Sequence, residues 1–438
     1  MTSSTRCSDE LSPIGLLSKI LTASLLLNVA TTLPSLTFSG GNSEEDFSFN
    51  GLSFVIDTNE CQSYLTGDPR RRTILSPPII IDHGGEYTGN WMSPANTTAA
   101  VTIRTIEPVT IIDSTLVGYG DLIAAGENTN VFVKESRGLG LGASPGKFIA
   151  VRNPNKIELK ANYLQDVWGI RIDGAGPGVI SGKFALERNV GCNMKGSTKD
   201  YAHFLLVADG VFRDSKAVMN YIVNEPFKSR VEDVINFYNA RGISGNSIQV
   251  AGNTIVGAYP DNPVTDSFSG GGIITDGGGK VGEASASAYI EIASNCIVST
   301  TNYGIGIAYG NNIVVDSNLV LSSGSLMGGS RKVKAQNVGV YVWDIGKTGP
   351  AAFFHNTVRR NRIFWRKPGG RDGLQATMNN AWFPDCGVPE SYCKSNQYGD
   401  YLMTDEEASH SEDQVVKSAP NCATMTKLAS DLFFKARK

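Results

Sequence analysis

The stretch AYIEIASNCIVS, Ala288–Ser299, is followed 23 residues later by NNIVVDSNLVLS, Asn311–Ser322, and the two match position by position. In each, apolar residues alternate with polar ones up to an Asn and resume after it, which is the period-two pattern of strands with one buried face. Aligning on Asn295 and Asn318 extends the register in both directions. SIQVAGNTIVG places Asn253 at the same point 42 residues before Asn295, and TVRRNRIFW places Asn361 there 43 residues after Asn318. IELKANYLQ contributes Asn162, KAVMNYIV contributes Asn220, and VFVKESRGL contributes Ser136, one 26-residue step before Asn162. Steps of 23 and 26 residues, with longer ones carrying insertions, are those of a solenoid whose coils are too short to bury their apolar faces alone and so stack. A recurring Asn at one turn predicts a ladder of stacked amides bonded up and down the stack.

Composition sets the bounds around this pattern. With 438 residues, 41% hydrophobic and 18% charged, the chain is ordinary globular material. Its net charge of −3 lacks the basic excess that phosphate contacts require, so no nucleic-acid partner is expected. The 48 glycines, and the lack of a long helical pattern before the C-terminus, predict many short strands joined by tight turns. Residues 1–35 contain the apolar run IGLLSKILTASLLLNVA, Ile14–Ala30, too short and interrupted for a stable membrane span. It reads as a signal sequence, or as a disordered N-terminus given Asp9 and Glu10 before it. Removing it leaves six cysteines, an even count that suits a secreted or cell-surface protein with disulfides. Cys386 and Cys393, in DCGVPESYC, are close enough to be bridged, whereas Cys296 inside a strand reads as an inert core thiol. The resulting division is a β-helix over 36–380 and a C-terminal cap over 381–438, with cysteines and a helical pattern in MTKLASDLFFKARK.

The repeated rungs, the Asn ladder and the glycine-marked strands that follow them resemble the right-handed parallel β-helix of the pectate-lyase-like superfamily over roughly residues 50 to 380. They are also similar to bacterial proteins described only as right-handed parallel β-helix repeat proteins. The resemblance implies an all-β solenoid acting on an extracellular polysaccharide. The strings that define polygalacturonases, an Asn-Thr-Asp, a paired Asp and a Gly-His-Gly, are not found, and four histidines at 83, 203, 355 and 410 form no spaced zinc cluster.

The strands after the rungs align with one another: WGIRIDG, DVINFYN, GGIITDG, YGIGIAY and VGVYVWD. Ile170, Ile235, Ile273, Ile305 and Val340 share the inward parity, so Arg171, Asn236, Ile274, Gly306 and Tyr341 point outward, followed by Asp173, Tyr238, Asp276, Ala308 and Trp343. Arg, Asp, Asn and aromatic side chains on one face form a trough for a sugar chain, with floor space at Gly306 and Ala308; the alternative is a solvated sheet face. Just before this face, NEPFKSRVEDVINFY concentrates Glu225, Lys228, Arg230, Glu232 and Asp233, with Lys228, Arg230 and Glu232 spaced for one face of an extended chain.

β-Elimination of a uronate polymer needs a base, a leaving-group acid and a counter-charge for the carboxylate. Resemblance to β-helix lyases with a Lys base and acidic calcium ligands implies Lys228, then Arg230, as catalytic, and Glu225, Glu232 and Asp233 as calcium ligands. The alternatives are a structural ion-pair network in a non-catalytic, adhesin-like binding protein, a glycoside hydrolase using paired carboxylates, or an epimerase acting on the same uronates. For the hydrolase, Asp173 and Asp276 lie several rungs apart, and Asp233 has the opposite parity to Asp276. Two insertions, AYPDNPVTDSFSGGG and SGSLMGGSRKVKAQN, project as loops beside the trough, the second bearing Arg331, Lys332 and Lys334, which suit an anionic polymer.

Overall fold

A computed structural model of the chain describes residues 46–49, 52–55 and 75–398, apart from short gaps at 279–281, 327–330, 336, 368–376, 388–389 and 394. The N-terminal apolar run and the C-terminal helical pattern lie outside the described residues. Over the described residues between 75 and 398 the chain is a parallel β-helix in which each coil lays one strand on each of three sheets. One coil runs Ile248–Ala251, Thr254–Ala258 and Gly271–Asp276; the next runs Ala288–Ala293, Cys296–Thr300 and Tyr303–Ile307. The repeated stretches are therefore two strands and the bend between them, and they stack as expected: Ile290 pairs with Ile313 and Cys296 with Leu319. The strand following each rung is the third strand of its coil.

The bend carries the ladder. Asn162, Asn189, Asn220, Asn253, Asn295, Asn318, Asn361 and Asn396 each accept, through Oδ1, the backbone N–H and the Nδ2–H of the Asn before it, beginning for Asn162 with the N–H of Ser136. At a corner the strand-to-strand bonds are interrupted, and the amide supplies the missing donors and acceptors. Asn189 and Asn396 extend the ladder beyond the rungs recognised in the sequence. Asn396 leads into Gln397–Tyr398, which pairs in parallel with Arg362 and Ile363, so the parallel stacking continues past the boundary expected at 380.

The residue before each ladder position turns the corner in left-handed backbone: Ala161, Arg188, Met219, Ser294, Ser317 and Arg360 all have φ between 54° and 56°. A Cβ makes that conformation cost about 1–2 kcal/mol, and Gly252 is the one glycine in this column. Met219 is exposed, so its side chain contributes little packing. Met219→Gly is expected to raise stability by about 0.5–1 kcal/mol, measured as a shift in the denaturation midpoint; an unchanged or lowered midpoint would mean that the corner is not strained.

Inside the coil, stacked Ile, Val, Leu and Phe columns from the three sheets fill one continuous core. In the third sheet Ile170, Leu205, Ile235, Ile273, Ile305 and Val340 are in register and fully buried, as the alternation predicts. Leu205–Val211 adds a strand between the first two of the aligned series. Two cysteines on the outward side of the second sheet, Cys192 and Cys296, are disulfide-bonded, as are Cys386 and Cys393 to each other. The expectation of an inert core thiol at Cys296 is thus corrected: its strand neighbour Ile297 takes the inward position.

Candidate functional site

The third sheet presents its outer face between two walls of loops. On the side where its strands begin stand the 225–232 turn, the insertion at 258–270 and the described residues of the insertion at 323–337. Tyr259, Leu326 and Val333 form a small core between these insertions, and Lys334 N–H donates to Pro263 O at 2.8 Å. The opposite wall is formed by the connections after Asp173, Asp276 and Val342, where Gly278 approaches so closely that a Cβ there would lie 2.6 Å from Tyr238 Oη.

Along the floor, register places Arg171, Leu206, Asn236, Ile274, Gly306, Tyr341 and Trp382 in one outward column, and Asp173, Ala208, Tyr238 and Asp276 in the next. The floor space expected at Gly306 is filled, because the ring of Tyr341 from the next coil lies over it: a Cβ at Gly306 would sit 2.5 Å from Tyr341 Cζ. Tyr341 meets Tyr303 edge-on at 5.2 Å between ring centroids, and with Ile274, Ala308 and Val338 they form an apolar cluster outside the main core.

The parity assigned to Asp233 is also corrected. Val234 and Ile235 are both buried in the main core, so two consecutive residues point inward where the chain turns onto the third sheet. Gly272, Gly304 and Gly339 occupy the same corner in the following coils; a Cβ on Gly304 would run into Val320, which explains the glycine there. This break in alternation turns Asp233 and Tyr303 to the outer face, the face that also carries Asp276. Tyr303 Oη–H donates to Asp233 Oδ1, and Asn236 Nδ2 donates to Asp233 Oδ2 at 3.1 Å. Gly271 lies between these partners, where a Cβ would collide with both Tyr303 and Asp233 Oδ1. Strict alternation hid this group; the glycines one residue before Ile273, Ile305 and Val340, at the position Val234 holds before Ile235, were the available signal.

Burial pushes the Asp233 carboxyl up to about 8, reinforced by the nearby charges of Glu232 and Asp276. Asp276, half-buried and accepting the Gly277 N–H at 2.8 Å, is also raised, first by desolvation and further by Glu232. Glu232 is exposed and accepts from Ser269 Oγ at 2.8 Å. Three carboxyl groups therefore sense one another on this face. Asp173 stands apart: Arg171 Nε holds it at 2.9 Å, and three coils, about 14 Å, separate it from Asp276. Farther along, Trp343 and Trp382 remain 38% and 45% exposed, with ring centroids 5.0 Å apart, an open aromatic platform of which the sequence reading found only Trp343.

The charged corner is arranged differently from the expectation. Residues 225–229 form a turn closed by the N–H groups of Lys228 and Ser229 and by Ser229 Oγ on Glu225 O, so Lys228 does not share an extended face with Arg230 and Glu232. Lys228 Nζ pairs with Glu225 at 2.6 Å, on a side chain 57% exposed. Arg230 donates to Asp261 Oδ1 through Nε at 2.8 Å and through Nη2 at 2.5 Å, and to Gly196 O through Nη1 at 2.9 Å, tying two loops together. Glu225, Glu232 and Asp233 turn to Lys228, Ser269 and Tyr303 respectively, and among the described residues no group of three His, Cys, Asp or Glu side chains is arranged to hold a metal ion. Arg331 stacks over Phe227 at 4.8 Å. No helix among the described residues is long and apolar enough to cross a membrane.

Comparison of the chain with protein families, with curated proteins and with solved structures returned no match.

Proposed function

We propose that the protein is a secreted, carbohydrate-active β-helix of the pectate-lyase-like kind that holds a polysaccharide along the outer face of its third sheet and hydrolyses it. The observation that carries this reading is that Asp276, Asp233 and Glu232 belong to one face that also carries exposed aromatic rings, with Asp276 five residues further along the strand than the position paired with Asp233. Glycoside hydrolysis needs one carboxyl that keeps its proton and one carboxylate that activates water or attacks, and environments that differ in burial separate such roles. Asp276, raised by desolvation yet half-exposed, is the acid; exposed Glu232 is the carboxylate; buried Asp233 is a positioning residue that fixes Tyr303. Trp343 and Trp382 offer flat faces for sugar rings. Disulfide-bonded Cys192, Cys296, Cys386 and Cys393 support an oxidising compartment, and with it an extracellular polymer as partner.

Elimination by Lys228, with Arg230 assisting and calcium neutralising the substrate, has less support, since both cations are engaged in the loop wall. The test separates the two chemistries. The purified protein is incubated, with and without calcium, with neutral and uronate polysaccharides, following reducing ends and the ultraviolet absorbance of unsaturated products. Reducing ends without unsaturation, falling about a hundredfold in Asp276→Asn, are expected. Unsaturated product that disappears in Lys228→Ala would replace hydrolysis with elimination. Binding without any product would leave a non-catalytic carbohydrate-binding protein.

A further inference from the structure

The wall where the strands of the third sheet begin carries two aromatic residues that the floor does not account for. Phe227, on the 225–232 turn, and Phe268, on the 258–270 insertion, are 47% and 75% exposed. We propose that these two rings form a second sugar-stacking site, so that the glycan crosses the trough from this wall to the Trp343–Trp382 platform; this rests on the carbohydrate reading above.

Both residues are held in place on a braced wall. Phe227 has left-handed backbone, φ 64°, a conformation that strains a bulky side chain and that folds retain mainly at ligand clamps and other functional positions. Arg331, from the other insertion, lies over its ring at 4.8 Å, yet the residue keeps nearly half of its surface open. Phe268 precedes Ser269, whose Oγ donates to Glu232 at 2.8 Å, and Gly270 N–H donates to Glu232 O at 2.8 Å. The backbone beside Phe268 is thereby fixed to the start of the strand Gly271–Asp276, and Arg230 on Asp261 ties the turn to the insertion. Rings on a braced wall lose little freedom when a ligand arrives, which is what lets an exposed aromatic face contribute affinity.

The spacing suits one extended chain. Five residues separate Gly271, at the foot of this wall, from Asp276, a span of about 16 Å. Trp343 lies two coils beyond Asp276 in the same column, about 10 Å further along the solenoid. A chain of several sugars can reach from the wall to the platform, and a disaccharide cannot. Two modest stacking sites engaged by one ligand gain affinity only for ligands long enough to meet both.

Ligand length therefore tests the inference. The full-length protein is titrated by calorimetry with xylan, glucomannan, polygalacturonate and alginate, then with the disaccharide and longer oligosaccharides of each polymer that binds. Oligosaccharides longer than the trough is wide are expected to bind about tenfold or more tightly than the disaccharide. The double variant Phe227→Gly with Phe268→Ala should lose most of that gain and keep the disaccharide affinity of the parent. Glycine suits the backbone at 227, so the variant should fold, which an unchanged or raised denaturation midpoint would show. Long oligosaccharides bound equally by variant and parent would overturn the second site and leave the carbohydrate reading in place; a parent dimer that the variant does not form would then assign the rings to a contact between copies. Failure of every polymer to bind would overturn both.

Discussion

Asn295→Ala is expected to lower the free energy of unfolding by about 4 kcal/mol, far more than an average surface polar residue. Asn295 is fully buried. Its Oδ1 accepts both the N–H of Asn253 at 3.0 Å and the Nδ2–H of Asn253 at 2.9 Å, while its own Nδ2 donates to Val250 O at 2.8 Å and to Asn318 Oδ1 at 3.0 Å. Truncation leaves two donors of Asn253 buried without an acceptor, at roughly 1–3 kcal/mol each, and removes the donors to Val250 and Asn318. The corner is packed too tightly by its neighbours for water to replace the amide easily. Chemical denaturation with the slope checked for constancy is the measurement. Asn396→Ala, at a half-buried rung near the end of the described ladder, provides the control and should cost about 1 kcal/mol. Equal effects at both positions would mean that the ladder is not the source of the stability.

The same rungs mark what was readable from residues alone. Asn295 and Asn318 stand 23 residues apart with no insertion between them, and around them fold, register and inward columns could be read off directly. Asn189, in FALERNVGC, escaped the alignment; Gly191 there leaves room for the ring of Phe204, as Gly138 at the same position of the Ser136 rung does for Phe148. At the site, alternation predicted the outward set from Arg171 to Tyr341 but failed at the corner, where Val234 and Ile235 both turn inward. That one-residue break moved Asp233 from the core face to the trough. The wall was less legible still. Lys228 and Arg230 are partnered by the turn at Glu225 and by Asp261 on a loop 31 residues away from Arg230, and neither pairing follows from local spacing.

Asp233 supplies the other large effect, and its sign follows from the direction of the shift. The folded state holds this proton up to about pH 8, whereas an ordinary Asp releases it near 3.8. Between those values the native state binds more protons than the unfolded state, so stability falls as pH rises from about 4 to about 8 and is level above. Asp233→Asn resembles the protonated acid in shape and cannot ionise. The variant should therefore match the parent near pH 4 and exceed it by on the order of 6 kcal/mol at pH 8 and above. The surroundings already suit a neutral group: Asn236 Oδ1 lacks a donor, and rotating that amide by half a turn would let it accept from a protonated Asp233, or from the amide of the variant. Asp276 and Asp166 are also raised and add pH dependence of the same sign, so the informative quantity is the difference between variant and parent at each pH. A difference that does not grow with pH would place Asp233 as a charged partner of Tyr303, and the trough would then carry a full additional negative charge at neutral pH. The comparison thus determines both a term in the stability of the fold and the electrostatic field that an incoming sugar chain meets.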